Sequence, residues 1–155
     1  MLSLRPHWLQ FVIDETKVFL CLIVCLVIAM GFDFTYHKWF YLLAGFFGFV
    51  LLCKLAYLMR MEYIITAEQI IICKGILVHS TDYVELYRVI DYQQKRSFFQ
   101  QLLGLKDVTI YSGDRNNPKV TMSGVREDLD VVYEIRQRVE FNKRRRGIYE
   151  FTNQV

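Results

Sequence analysis

Hydrophobic and polar positions divide the chain into two regimes. Residues 18–32 (VFLCLIVCLVIAMGF) carry no charge, residues 33–38 form a short polar link, and residues 39–59 are apolar except for Lys54. Runs this continuous leave no polar face for water and predict membrane-spanning helices, because a helix satisfies its own backbone in hydrocarbon. The expectation is a transmembrane hairpin over 18–60, with spans at 18–36 and 39–60. As a helix the first run covers about 22 Å, short of the ~30 Å hydrocarbon core, and the second about 32 Å. Snorkelling by Lys17 and extension towards Phe34 and Tyr36 close the first gap, and the Lys54 stem reaches the interface from the last turns of the second span.

Small residues recur at helical spacing within the hairpin: Cys21, Cys25 and Ala29 in one run, Ala44 and Gly48 in the other. Such stripes let helices approach closely in lipid, either within the hairpin or across a dimer, and the short link favours the hairpin. Ahead of it, residues 1–17 place Leu4, Trp8, Phe11 and Val12 three to four positions apart. That spacing reads as a helix lying along the interface, with Trp8 among the head groups, or as the plain approach to the first span.

From Met61 onward the period becomes two. Strands are predicted at 62–66, 69–74, 76–86 and 87–95, with a turn at Ala67-Glu68 and a stop at Gly75. A short helix over 96–103 (RSFFQQLL) ends at Gly104, and strands at 107–112 and 119–123 flank the turn sequence GDRNNP. After Gly124, a helix over 126–145 gathers Glu127, Asp128 and Asp130 in its first turns and bases in its last, as the helix dipole favours. Leu129, Val132, Ile135 and Val139 supply its apolar face. The fold class expected is a two-helix transmembrane hairpin followed by a mainly β domain over 61–146. That domain is a bent barrel or sandwich capped by its C-terminal helix, with a tail at 147–155.

Composition supports this division. The chain is 54% hydrophobic with net charge +3, too apolar for an ordinary soluble domain. Roughly 95 residues follow the hairpin, enough for one small core and not two. Arginine and lysine flank the hairpin at Arg5, Lys17, Lys54 and Arg60, against Lys38 alone in the link. This bias puts both termini of a multi-pass membrane protein in the cytoplasm and the link outside. Cys21, Cys25, Cys53 and Cys73 lie in apolar runs or a strand and suggest buried thiols, not disulfides. The first run has neither a basic start nor a small-residue cleavage site, so it reads as a retained anchor.

A resemblance follows from the order of these pieces. EYIITAEQIIICKGIL, YRVIDYQQKRSFFQQLLGL, DVTIYSG, KVTMSGV and a closing helix resemble the bacterial pleckstrin-homology-like membrane proteins, which place two spans before such a domain. The likeness covers about residues 40 to 140 and is sharpest from Arg88 through Gln100-Gln101-Leu102-Leu103-Gly104. It implies a pleckstrin-homology-like fold and no catalytic activity. Lipid-binding pleckstrin-homology domains grip phosphates with bases around the loop joining their first two strands. Here that connection is Thr66-Ala67-Glu68-Gln69, short and acidic, so the sequence departs from the pattern there.

No catalytic set emerges. His7, His37 and His79 are dispersed, and in a strand His79 and Ser80 point to opposite faces. No spacing of Cys and His fits zinc and no glycine-rich phosphate loop exists, so no metal, cofactor or enzymatic role is expected. The concentrated bases Lys143, Arg144, Arg145 and Arg146 read as a lipid contact on the anionic leaflet, or as the solvated end of a helix. One basic cluster on so apolar a chain points to lipid, not nucleic acid. Phe98, Phe99, Leu102 and Leu103 read as a core plug under the barrel, or as an exposed patch that docks on the membrane or another protein. The tail is either disordered or a strand added to a neighbour's sheet. The function expected is a membrane-anchored interaction module that self-associates or serves a larger membrane assembly. The alternative is a sensor for an anionic lipid head group or small anion, and a membrane enzyme subunit is weakened by the missing catalytic set.

Overall fold

A computed structural model of the chain describes residues 1–31 and 37–147. Residues 32–36, which include most of the polar link over 33–38, and all but the first residue of the tail 147–155 lie outside the described residues. Two antiparallel sheets carry the β domain. The first has the order β1 (Leu2–Leu4), β2 (Glu62–Ile65), β3 (Gln69–Lys74), β4 (Ser80–Glu85), and the second β5 (Val89–Lys95), β6 (Leu105–Ser112), β7 (Lys119–Arg126). Alternation sets their inner faces: Tyr63 and Ile65, Ile70 and Ile72, Val108 and Ile110 all turn into one core. A single 3₁₀ turn at Leu86–Arg88 carries the chain between sheets and buries Leu86 completely. The sheets stay open. The barrel expected as one form of the domain is therefore corrected, because the turn takes the backbone out of the ladder and β5 begins with a register shift.

Helix α5 (Val131–Arg145) closes one end of the core with Val131, Ile135 and Val139. It starts five positions later than expected because β7 continues to Arg126, and Asp130 caps it by accepting from the Tyr133 N–H (3.3 Å). Leu129 lies outside the helix, partly exposed. The strand expected from Ile76 begins only at Ser80. Gly75, at φ +116°, turns the chain so tightly that an added Cβ would lie 1.9 Å from the Val78 carbonyl oxygen.

The largest departure concerns the N-terminal segment. Leu4 is not on a helical face; residues 2–4 form β1, paired with β2 in the register Leu2↔Ile65, Ser3↔Ile64, Leu4↔Tyr63. Ser3 Oγ donates to Glu62 (2.6 Å), and Leu4 enters the core. The helical part begins at α1 (Trp8–Asp14), which leads through Glu15 into α2 (Thr16–Gly31). Then α3 (His37–Met59) returns the chain to β2. The helices are thus inserted between the first two strands of the β domain.

Helices α2 and α3 pack along each other, with Lys54 meeting Glu15 and Gly48 facing Leu22, the pairing of antiparallel neighbours. Cys25, Ala29 and Ala44 are buried, and Leu51 joins them. Cys21 is exposed instead, and Leu22 takes its place. Steps of four alone drift around a helix, whereas the spacing Leu22, Cys25, Ala29 keeps to one side. Outward, Leu20, Ile23, Val27 and Met30 on α2, and Trp39, Leu42, Phe46, Phe49 and Leu52 on α3, are exposed. Residues 38–59 make one helix long and apolar enough to cross a membrane, and α2 is a shorter apolar helix.

Candidate functional site

The helices meet the β domain around a cavity of about 510 Å³, lined by Phe11, Asp14, Glu15, Cys53, Lys54, Tyr57, Met61, Tyr63, Ile76 and Ser123 among others. Its polar groups come from four directions. Asp14 and Glu15 stand at the bend between α1 and α2, Lys54 and Tyr57 one helical turn apart near the end of α3, Tyr63 on β2, and Ser123 on β7. Lys54 Nζ bonds Glu15 Oε1 at 2.6 Å. Asp14 Oδ1 accepts from Gln10 Nε2 (2.8 Å), and its second oxygen has no hydrogen-bond partner among the described residues. The Tyr63 phenol accepts from the Ser123 N–H (3.4 Å) and points its own hydrogen at Met61 Sδ.

Partial burial of the otherwise exposed Asp14, reinforced by the nearby Asp107 and Glu15 carboxylates, raises its carboxyl above the ordinary value against the opposing pull of Gln10 and Lys54. Burial likewise raises Tyr63, which stays a neutral phenol. With both acids ionised, the lining carries two negative charges against one positive. This wall suits an amphiphile whose polar end is cationic or zwitterionic.

The cavity is held by a buried amide chain. Gln100 Nε2 donates to Gln10 Oε1 (3.1 Å) and to Asp107 Oδ1 (2.8 Å), which also accepts from the Gly124 N–H (3.1 Å). Gln10 passes the chain on to Asp14. The His7 N–H donates to the Gly124 carbonyl (3.0 Å), and a Cβ on Gly124 would meet Gln10 Cβ at 2.7 Å. Helix α1 is thereby fixed to β6, β7 and α4 (Phe98–Leu102).

A model for the bacterial PH domain matches residues 10–139. The chain belongs to the bacterial PH domain family. The match opens at Gln10, inside α1, and runs through the inserted helices to Val139 of α5. No curated protein matches the chain. No solved structure matches it either.

In this bacterial PH domain protein the sequence-predicted site residues fall outside the cavity. Trp8 is exposed on α1. Phe98, Phe99 and Leu102 are also exposed, and the core-plug reading is corrected: the one-turn helix α4 turns Gln100 inward, while Leu103, just after it, is partly exposed. Ser97 and Gln100 close a reciprocal capping box that fixes this orientation. Of the basic run, Arg145 pairs with Glu68 (2.8 Å), the Arg146 guanidinium lies over the Tyr87 ring (3.9 Å), and Arg144 lies 3.9 Å from Glu140. Lys143 is half-buried.

Arg145 therefore faces the β2–β3 turn. Two polar residues of α5 clamp the same turn: Arg138 reaches the Ile65 and Thr66 carbonyls (2.8 and 3.2 Å), and Asn142 the Ala67 carbonyl (2.6 Å). The turn at Thr66-Ala67-Glu68-Gln69 is therefore occupied by the protein's own helix, and it joins the second and third strands of the sheet, not the first two. Sequence reasoning missed Gln10, Asp14, Glu15, Tyr63 and Gln100. Ser97-x-x-Gln100 carried a readable capping signal, and Lys54 was a conspicuous charge in an apolar run; the others became functional candidates only through tertiary contact.

Proposed function

We propose that this protein is a non-enzymatic, membrane-anchored interaction module of the bacterial cytoplasmic membrane. Its helical hairpin crosses the bilayer twice and holds the β domain at the cytoplasmic face, as part of an oligomer or larger membrane assembly. The carrying observation is the outward apolar surface of α2 and α3, tied at both ends to the sheet through β1 and β2. Because Leu4 and Tyr63 are paired, the chain leaves and re-enters the domain at one place. If α3 crosses a bilayer, a second crossing brings the chain back, and α2 is the apolar helix packed beside it. The 16 residues of α2 span about 24 Å, a mismatch that local thinning accommodates.

Exposed Phe98, Phe99 and Leu102, beside α1 with its exposed Trp8, supply the docking patch for bilayer or partner. Extraction of membranes at alkaline pH, combined with protease accessibility of an epitope after Val155 in right-side-out vesicles, tests this reading. Retention in the pellet with a protected epitope is expected; release into the supernatant, or an epitope cleaved from outside, overturns it. Native mass spectrometry from mild detergent is expected to show a stable self- or hetero-oligomer.

The second reading, a ligand sensor, gains from the cavity at the junction of helices and sheet. The excess of carboxylates there argues against the small anion expected from sequence.

A further inference from the structure

We infer that the cavity between the helices and the β domain is a binding site for the head group of an ethanolamine phospholipid, with the ammonium held by Asp14 and Glu15 and the phosphate by Lys54. The inference rests on the membrane reading above and adds a ligand to it. Four observations converge.

The site is positioned for lipid. Lys54 and Tyr57 belong to the last two turns of α3, and Asp14 and Glu15 immediately precede α2. In a hairpin that spans the bilayer, these turns lie at the head-group level. The site is also shaped for an amphiphile: Phe11, Cys53, Leu58, Met61 and Ile76 give it apolar walls, and its volume falls within the range of small-molecule pockets.

Its charges match a zwitterion. Glu15 has the Lys54 ammonium, whereas among the described residues the exposed Asp14 has the Gln10 amide on one oxygen and its other oxygen free for a ligand. A primary ammonium has three donors, so it can serve the open Asp14 oxygen and share Glu15. Lys54 uses one donor on Glu15 and keeps others for a phosphate oxygen. An anionic lipid would satisfy Lys54 but set its charge against Asp14 and Glu15. A trimethylammonium head group would have the charge but no N–H to donate.

The Asp14 carboxylate is also held in one orientation. Asp14 itself is exposed, but Gln10, which bonds it, is 2% exposed and is held in turn by Gln100.

The test uses the full chain, purified in mild detergent and offered equimolar phosphatidylethanolamine, phosphatidylcholine and phosphatidylglycerol of matched acyl chains, with bound lipid read by native mass spectrometry. Phosphatidylethanolamine is expected to be retained about tenfold over the other two, the value of roughly one charge-assisted hydrogen bond. Asp14→Asn, isosteric and still able to accept from Gln10, is expected to reduce that preference to near parity. As a second readout, a short-chain phosphatidylethanolamine should raise the unfolding temperature of the wild type and not of Asp14→Asn. Equal retention of the three lipids, a preference for phosphatidylglycerol, or an undiminished preference in Asp14→Asn overturns the inference. Such a result with the protein still alkali-resistant leaves the membrane reading standing; an alkali-extractable protein overturns that reading itself.

Discussion

Gln100→Leu tests the buried amide chain that joins the helices to the sheet. In the native protein Gln100 is 3% exposed, and its side chain makes three bonds: to Gln10 Oε1 at 3.1 Å, to Asp107 Oδ1 at 2.8 Å, and from the Ser97 N–H at 2.8 Å. Leucine fills similar space and makes none of them. Asp107 keeps the Gly124 N–H, but the Gln10 carbonyl and the Ser97 N–H lose a partner inside or at the edge of the core. An orphaned buried polar group costs about 1–3 kcal/mol and a bond to a carboxylate contributes about 1.5–3 kcal/mol, while the added apolar burial returns part of this. A net loss of ~3 kcal/mol is expected, lowering the unfolding temperature by ~10 °C. Thermal unfolding of the full chain in detergent, followed by circular dichroism, measures it. Hydrogen exchange should localise the first loss of protection to residues 7–14 and 98–104. A loss below ~0.5 kcal/mol, or exchange that rises elsewhere first, refutes the role of Gln100 as the tie between α1 and the sheet.

Three further outcomes follow from the same structure. Gly124→Ala sets a side chain at φ +66° and within 2.7 Å of Gln10 Cβ, so it should cost more than the ~1–2 kcal/mol of left-handed backbone alone and raise exchange in α1. Asn142→Ala strips the Ala67 carbonyl of its 2.6 Å bond under a 5% exposed side chain. A loss of ~1–3 kcal/mol by denaturant unfolding is expected. Asp14 has a raised carboxyl pKa in the folded state, so between its ordinary value of 3.8 and the raised one the folded chain binds more protons than the unfolded. Its contribution to stability therefore falls as pH rises through that window and stays lower above it. Asp14→Asn should be more stable than wild type near neutral pH, with the difference shrinking towards acid. A difference that grows on acidification contradicts this.

Much of the architecture was legible in the chain because its causes are local. The uninterrupted runs marked both helices, alternation at Ile70 and Ile72 marked a half-buried strand, and Gly75 and Gly104 stood where φ is positive. What escaped depends on distant partners. Residues 2–4 are too few to signal a strand, and become one only because Tyr63 and Ile65 offer an edge. The apolar side chains of α4 dominate its composition, yet a single turn offers one inward position, and that position went to the amide whose partners lie on α1 and β6. Cys21 fitted a spacing rule that ignores helical drift. The family and its mainly β domain were thus readable, whereas the cavity was not, since Asp14, Lys54 and Tyr63 meet only after folding.

The pairing of β1 with β2 also bears on biosynthesis. Ser3 and Glu62, which bond across these strands, are 59 positions apart, with the helices between them. During synthesis β1 emerges before β2 and has no partner in this sheet until the intervening helices have been made. If the helices cross a bilayer, closing the sheet also requires an even number of crossings, since an odd number would leave β1 and β2 on opposite sides. A mis-threaded chain presents β2 with an open edge, the kind of surface that templates aggregation. The three residues of β1 thus tie completion of the first sheet to synthesis of the whole helical insertion.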